Sequence, residues 1–118
     1  MYSENISAFL DFLRDVQSQY RIADSIASDA EGRTQDYLHQ LELLEHTYHG
    51  YATISKELAQ ARKEQRKAKD KMAAASPILE WIEANAQTMR NLEKLLGEVR
   101  KAERSQENRI YTPRAKKK

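Results

Sequence analysis

The sequence predicts an all-α chain, with long antiparallel helices in a coiled-coil-like three-helix arrangement and a basic C-terminal tail. Three observations predict it. Apolar residues recur at alternating steps of three and four along most of the chain, the repeat that keeps one helix stripe turned toward a partner. The 118 residues include only three Gly and two Pro, too few breakers for the turns of a β-sandwich or barrel. Hydrophobic residues are 40% of the chain and charged residues 32%, with two Phe and one Trp. That balance suits narrow apolar seams better than a thick layered core.

The first helix is predicted over about 4–46. Ile6, Phe9, Leu13, Val16, Tyr20, Ala23, Ala27 and Ala30 form its seam, and the alternation carries on through Thr34, Tyr37, Leu41, Leu44 and Tyr48. Ser3 or Asn5 supplies a cap, and Glu4 favours the positive end of the helix dipole. Gly32 interrupts the pattern at a cost of only about 1 kcal/mol. Ser28 and Glu31 have the spacing of a capping box, so a break near 28–33 is the alternative. A helix of this length extends about 60 Å at 1.5 Å per residue, longer than the two that follow. The part of its seam at Ile6, Phe9, Leu13, Val16 and Tyr20 is therefore the candidate self-association surface, which a homodimer would cover.

His46 to Gly50 reads as a turn, and a second helix is predicted over about 51–75. Its seam of Tyr51, Ile54, Leu58, Ala61, Gln65, Ala68, Met72 and Ala75 is thin, because small residues allow close approach but bury little apolar area each. Ser76-Pro77 marks the next boundary, a Ser cap followed by Pro at the first helical position. The third helix, about 77–104, carries Ile78, Ile82, Asn85, Met89, Leu92, Leu96 and Val99, widened by Trp81 and Leu95. Asn85 on the seam either fixes register or marks a kink. Residues 1–104 are thus expected to form one helical domain, and 105–118 a basic tail.

The chain has no Cys, which rules out disulfides and Cys-based zinc sites and suits a reducing compartment. Its first residues do not resemble a signal peptide, and no apolar run approaches the roughly 18 residues that span a bilayer. The expectation is a cytoplasmic protein without membrane association.

Charge is divided unevenly. Residues 1–50 hold nine acids and three bases, a balance of −6, whereas 51–118 hold nine acids and seventeen bases, a balance of +8. This split predicts either an electropositive surface for an anionic partner or two halves that attract each other. The densest basic run holds Arg62, Lys63, Arg66, Lys67, Lys69 and Lys71. On a helix Arg62, Arg66 and Lys69 share one face, and Lys63, Lys67 and Lys71 the adjacent one. Such a ridge can track phosphates and release counterions, but without interleaved aromatics it has no platform for base stacking. The plainer reading is a solvated face, or one neutralised by acids of the first helix. Arg100, Lys101, Arg104, Arg109 and Arg114 extend the candidate partner-binding set into the third helix and tail. There Ile110, Tyr111 and Pro113 are the apolar anchors of a docking segment.

His39, Glu42, His46 and His49 step by three and four, a spacing able to hold a first-row metal. Helical metal sites draw Glu-x-x-His pairs from several helices, and no second set exists here. No metal or other cofactor is expected. Gly-rich phosphate loops, Gly-x-Ser-x-Gly elbows and Cys nucleophiles are missing, so the expectation is a binding protein and not an enzyme.

Three strings taken together, Arg66–Asp70, Leu95–Lys101 and Glu107–Arg114, resemble small, largely uncharacterised helical proteins encoded by phages and prophages of Gram-positive bacteria. The resemblance covers mostly the second half of the chain and includes no catalytic motif. It implies the cytoplasm of a bacterial host and an accessory role. Some phage proteins of this size block host defence by occupying a nucleic-acid-binding surface of a defence enzyme. In such a decoy role Asp11, Asp15, Asp24, Asp29, Glu31 and Asp36 would contribute, although exposed acids also serve helix solubility alone. The leading expectation is a stoichiometric regulator or inhibitor of a host nucleic-acid machine, of the anti-defence or anti-CRISPR type. It would bind a host protein or nucleoprotein complex. The alternatives are a nucleic-acid-binding accessory of phage replication or recombination, and a virion or scaffolding component.

Overall fold

The computed structural model describes residues 1–43 and 45–108. Those residues form three helices: α1 (Tyr2–Leu43), α2 (Tyr48–Ala84) and α3 (Ala86–Glu107). The chain is all-α. None of the described helices is long and apolar enough to cross a membrane.

Helix α1 runs unbroken through Gly32. That glycine is exposed and has open space where a Cβ would sit, so it meets no packing demand that would bend the helix. The capping-box spacing of Ser28 and Glu31 is therefore not used. The middle of the seam is made of small side chains, Ala23, Ala27, Ala30 and Thr34, all buried. The Thr34 hydroxyl donates to the Ala30 carbonyl at 2.8 Å, which satisfies a buried polar group within its own helix.

Thr47 starts α2. Its hydroxyl accepts from the Gly50 N–H at 3.1 Å, and its carbonyl from the Tyr51 N–H at 2.9 Å, the N-cap arrangement. The turn is thus tighter than the predicted His46–Gly50, with Tyr48, His49 and Gly50 already helical.

The boundary predicted at Ser76-Pro77 does not exist, since α2 continues through Pro77 to Ala84. Proline in a helix interior removes one N–H and crowds the carbonyl four residues earlier. Here both Pro77 and Ala73 are exposed, so water can serve the freed carbonyl. The preceding Ala73-Ala74-Ala75 run has the highest helix propensity available. The interruption falls at Asn85, whose backbone (φ −117°, ψ 32°) leaves the helix. Its N–H reaches the Ile82 carbonyl at 3.2 Å, and α3 resumes as Met89 N–H bonds the Asn85 carbonyl at 2.9 Å.

The chain divides into two compact units that share α1. One holds Met1–Leu13 with the residues from Ile82 onward, the other Arg14–Trp81. In the first, Leu10, Leu13 and Leu96 are buried, and Glu103 accepts from the Ser3 N–H at 3.4 Å. In the second, Ala23, Ala27 and Ala68 form a buried cluster with Met72 against it, and Ile54 and Ala61 extend the buried set. Helix α3 reaches Glu107, past its predicted end at 104, and residues 109–118 of the expected tail lie outside the described residues.

Candidate functional site

The basic run lies on α2, and the seam side of that helix decides where each cation points. Ala61, Ala68 and Met72 turn inward. A rotation of 100° per residue puts Lys63, Lys67 and Lys71 to one side of that inward stripe and Arg62, Arg66 and Lys69 to the other. All six side chains are exposed, and none pairs with a carboxylate among the described residues.

Neutralisation of the ridge by the acids of α1 is therefore absent among these residues. The ion pair that joins the two helices runs the other way, from Arg33 of α1 to Glu64 of α2. Arg33 also donates through Nε to Asp29 Oδ2 at 3.1 Å. The hydrogen bond from Arg33 holds the Glu64 carboxyl below its ordinary pKa, and Glu64 in turn raises that of Arg33.

On α3, Arg100, Lys101 and Arg104 are exposed. Arg100 reaches Ser7 at 3.5 Å and borders a shallow depression with Ser3, Glu4 and Asp11. Glu103 sits among these cations with its carboxyl held below the usual range by Ser3, first through the hydroxyl. Arg109, Ile110, Tyr111, Pro113 and Arg114 lie outside the described residues.

The predicted self-association seam is covered in part within the chain. Leu13 is buried, Ile6, Val16 and Tyr20 are half-buried, and the core takes Leu10 where the spacing pointed to Phe9. Phe9 is left exposed. The His39, Glu42, His46 and His49 row is divided by the turn. His39 and Glu42 stay on α1, His49 moves to α2, and His46 bonds the Gln40 carbonyl at 3.1 Å with its ring edge-on to Tyr51. No three His, Asp or Glu side chains among the described residues are grouped to hold a metal ion.

One feature was missed from sequence. A groove of about 610 Å³ runs between α1 and α2, floored by Ala23 and Ala68 and rimmed by Lys67 and Lys71. Ile22 and Ile26 line it while remaining 50% and 44% exposed. Their signal was a second stripe on α1 beside the seam: Asp15, Gln19, Ile22, Ile26, Asp29 and Arg33 also step by four and three. No family model, curated protein or solved structure matches the chain.

Proposed function

We propose that this chain is a helical interaction module that regulates or inhibits a nucleic-acid machine by stoichiometric binding, without catalysis of its own. The cationic surface of α2 is its contact to an anionic partner. The observation that carries this reading is that six exposed cations, Arg62 to Lys71, have no carboxylate partner among the described residues. An unpaired cationic surface on a rigid helix gains most from an anionic one, because no internal pair has to be broken first. In this proposal the partner is a host protein or nucleoprotein complex, in the cytoplasm of a bacterial host of the phage type.

The scaffold we propose is an antiparallel, coiled-coil-like packing of α1 on α2, with α3 as the third helix. Residue pairing supports it. Ala23 and Ala27 of α1 cluster with Ala68 and Met72, whereas Arg33, further along α1, pairs with the earlier Glu64.

The test is affinity capture from a nuclease-treated Gram-positive lysate, with the wild-type chain beside Arg62→Glu/Arg66→Glu/Lys69→Glu. The wild type should retain a defined host protein and the variant should release it, with the helical circular-dichroism signal unchanged in both. Equal retention by the variant refutes the ridge as the contact. A second reading, direct binding of nucleic acid, is favoured by the same unpaired cations. It requires a duplex-DNA gel shift at low salt that weakens steeply as salt rises, and no shift at low salt removes it.

A further inference from the structure

We propose that a second copy of this chain docks on the outer stripe of α1, antiparallel and centred between Ile22 and Ile26, so that the groove between α1 and α2 is a homodimer interface. The argument starts from exposure. Two Ile one turn apart, each about half exposed, stand beside a groove floored by Ala23 and Ala68. β-Branched apolar side chains left in water on a rigid helix are covered at a gain in free energy.

The occupant follows from the order of residues along the stripe. In an antiparallel pair centred between Ile22 and Ile26, each position faces the one equally far on the other side of the centre. Ile22 then meets Ile26 of the second copy, Gln19 meets Asp29, and Asp15 meets Arg33. Apolar residues face apolar ones at the middle, an amide faces a carboxylate, and opposite charges close both ends, where Arg33 adds Asp15 of the second copy to the Asp29 and Glu64 it already holds. A parallel pairing in register would instead set Asp15 against Asp15 and Asp29 against Asp29, which is repulsive. Charge on the groove wall agrees. On the side belonging to α2, Glu64 is held by Arg33, whereas Lys67 and Lys71 have no carboxylate paired to them among the described residues, and the entering helix is acidic. Arg62, Arg66 and Lys69 lie on the other side of α2 and stay open, so this interface takes Lys67 and Lys71 from the ridge and leaves those three to hold the partner proposed above. It differs as well from the seam at Ile6 to Tyr20, where Leu13 is buried inside the chain.

The absence of Cys makes the register directly testable in the full chain. Gln19→Cys and Asp29→Cys are prepared separately and oxidised alone or mixed. In the proposed pairing, two residues at position 19 lie ten positions apart along the helix axis, about 15 Å at 1.5 Å per residue. A disulfide needs Cα atoms within roughly 4.4–6.8 Å. The expected result is a covalent dimer in the mixture, joining the two different variants, and little in either variant alone. Cross-linking of each variant with itself, or none in the mixture, overturns the proposal. Light scattering adds an independent measure. The wild type should approach the mass of a dimer as concentration rises, and Ile22→Glu/Ile26→Glu should weaken association by more than about tenfold with helicity retained. A wild type that remains monomeric at all concentrations also overturns it, and leaves the groove to a different acidic helix.

Discussion

Arg33 of α1 donates to the carboxylate of Glu64 on α2, and so links the acidic half of the chain to the basic half with the charges reversed from the overall trend. Both side chains are partly solvated. The pair therefore orients the helices more than it stabilises them, and its main consequence is a dependence on pH. The bond from Arg33 lowers the pKa of Glu64. A carboxyl whose pKa is lower in the folded state adds stability above its unfolded pKa and loses it as pH falls through the folded one. Thermal unfolding should therefore shift to lower temperature on acidification below the ordinary carboxylate range, and Glu64→Gln should show a shallower decline. Glu103, lowered in the same direction by Ser3, accounts for part of what remains. Identical acid profiles for wild type and Glu64→Gln would show that the pair does not form in solution.

Pro77 offers a gain in stability. It occupies an exposed position within α2, where it withholds an N–H from the Ala73 carbonyl. Interior proline costs about 3 kcal/mol in a helix, offset by roughly 0.4–1 kcal/mol of lost freedom in the unfolded chain. Pro77→Ala should stabilise the protein by about 2 kcal/mol, read as a higher midpoint in urea. An unchanged or lower midpoint would mean that the helix does not pass through this position as described.

The alanine seam makes the opposite prediction. Ala30 and Ala61 are both 0% exposed, so neither has space beside it for a larger side chain. Ala30→Leu or Ala61→Leu should cost about 1–3 kcal/mol through overpacking. Ala52→Leu, on the exposed side of α2, should be nearly neutral. If all three behaved alike, the close approach of α1 and α2 would be in doubt.

These sites also show how much of the structure could be read from sequence. Alternating steps of three and four located Ala23, Ala27, Ala30, Thr34, Ile54, Ala61, Ala68 and Leu96, all of them buried. They failed at Phe9, because this end of α1 belongs to the unit that holds the residues from Ile82 onward, and the face it buries there, with Leu10 and Leu13, is rotated from the stripe of Ala23 and Ala27. Ser76-Pro77 misled because its capping signal is local, whereas helix continuation depends on the alanines before it and on solvent reaching Ala73. Asn85 is the polar residue on the third seam, and the backbone leaves the helix there. Ile22 and Ile26 do not stand out in the pattern, because the neighbouring seam already accounts for the helical period. Whether each cation of the ridge had a partner depended on side-chain placement, which periodicity does not encode.

The turn between α1 and α2 depends on two adjacent choices, which can be separated. Thr47 caps α2 through its hydroxyl, and loss of such a cap costs about 0.5–2 kcal/mol. Gly50 takes the N–H side of that bond. A Cβ at Gly50 would stand 3.2 Å from the His46 Cβ and 3.4 Å from the Thr47 hydroxyl, so the residue is held small by proximity and not by an unusual φ. Thr47→Ser keeps the acceptor and should unfold near the wild-type temperature, whereas Thr47→Ala should unfold lower. Gly50→Ala combines a better helix former with a contact that forces His46 to move. If His46 resists that shift, Gly50→Ala lowers the unfolding temperature, and the loss should be relieved when His46 is also changed to Gly, which removes the atom in contact. Additive effects in that double variant would show that the crowding at 3.2 Å does not govern the turn. A coupled recovery would establish His46 as the residue that excludes side chains from position 50.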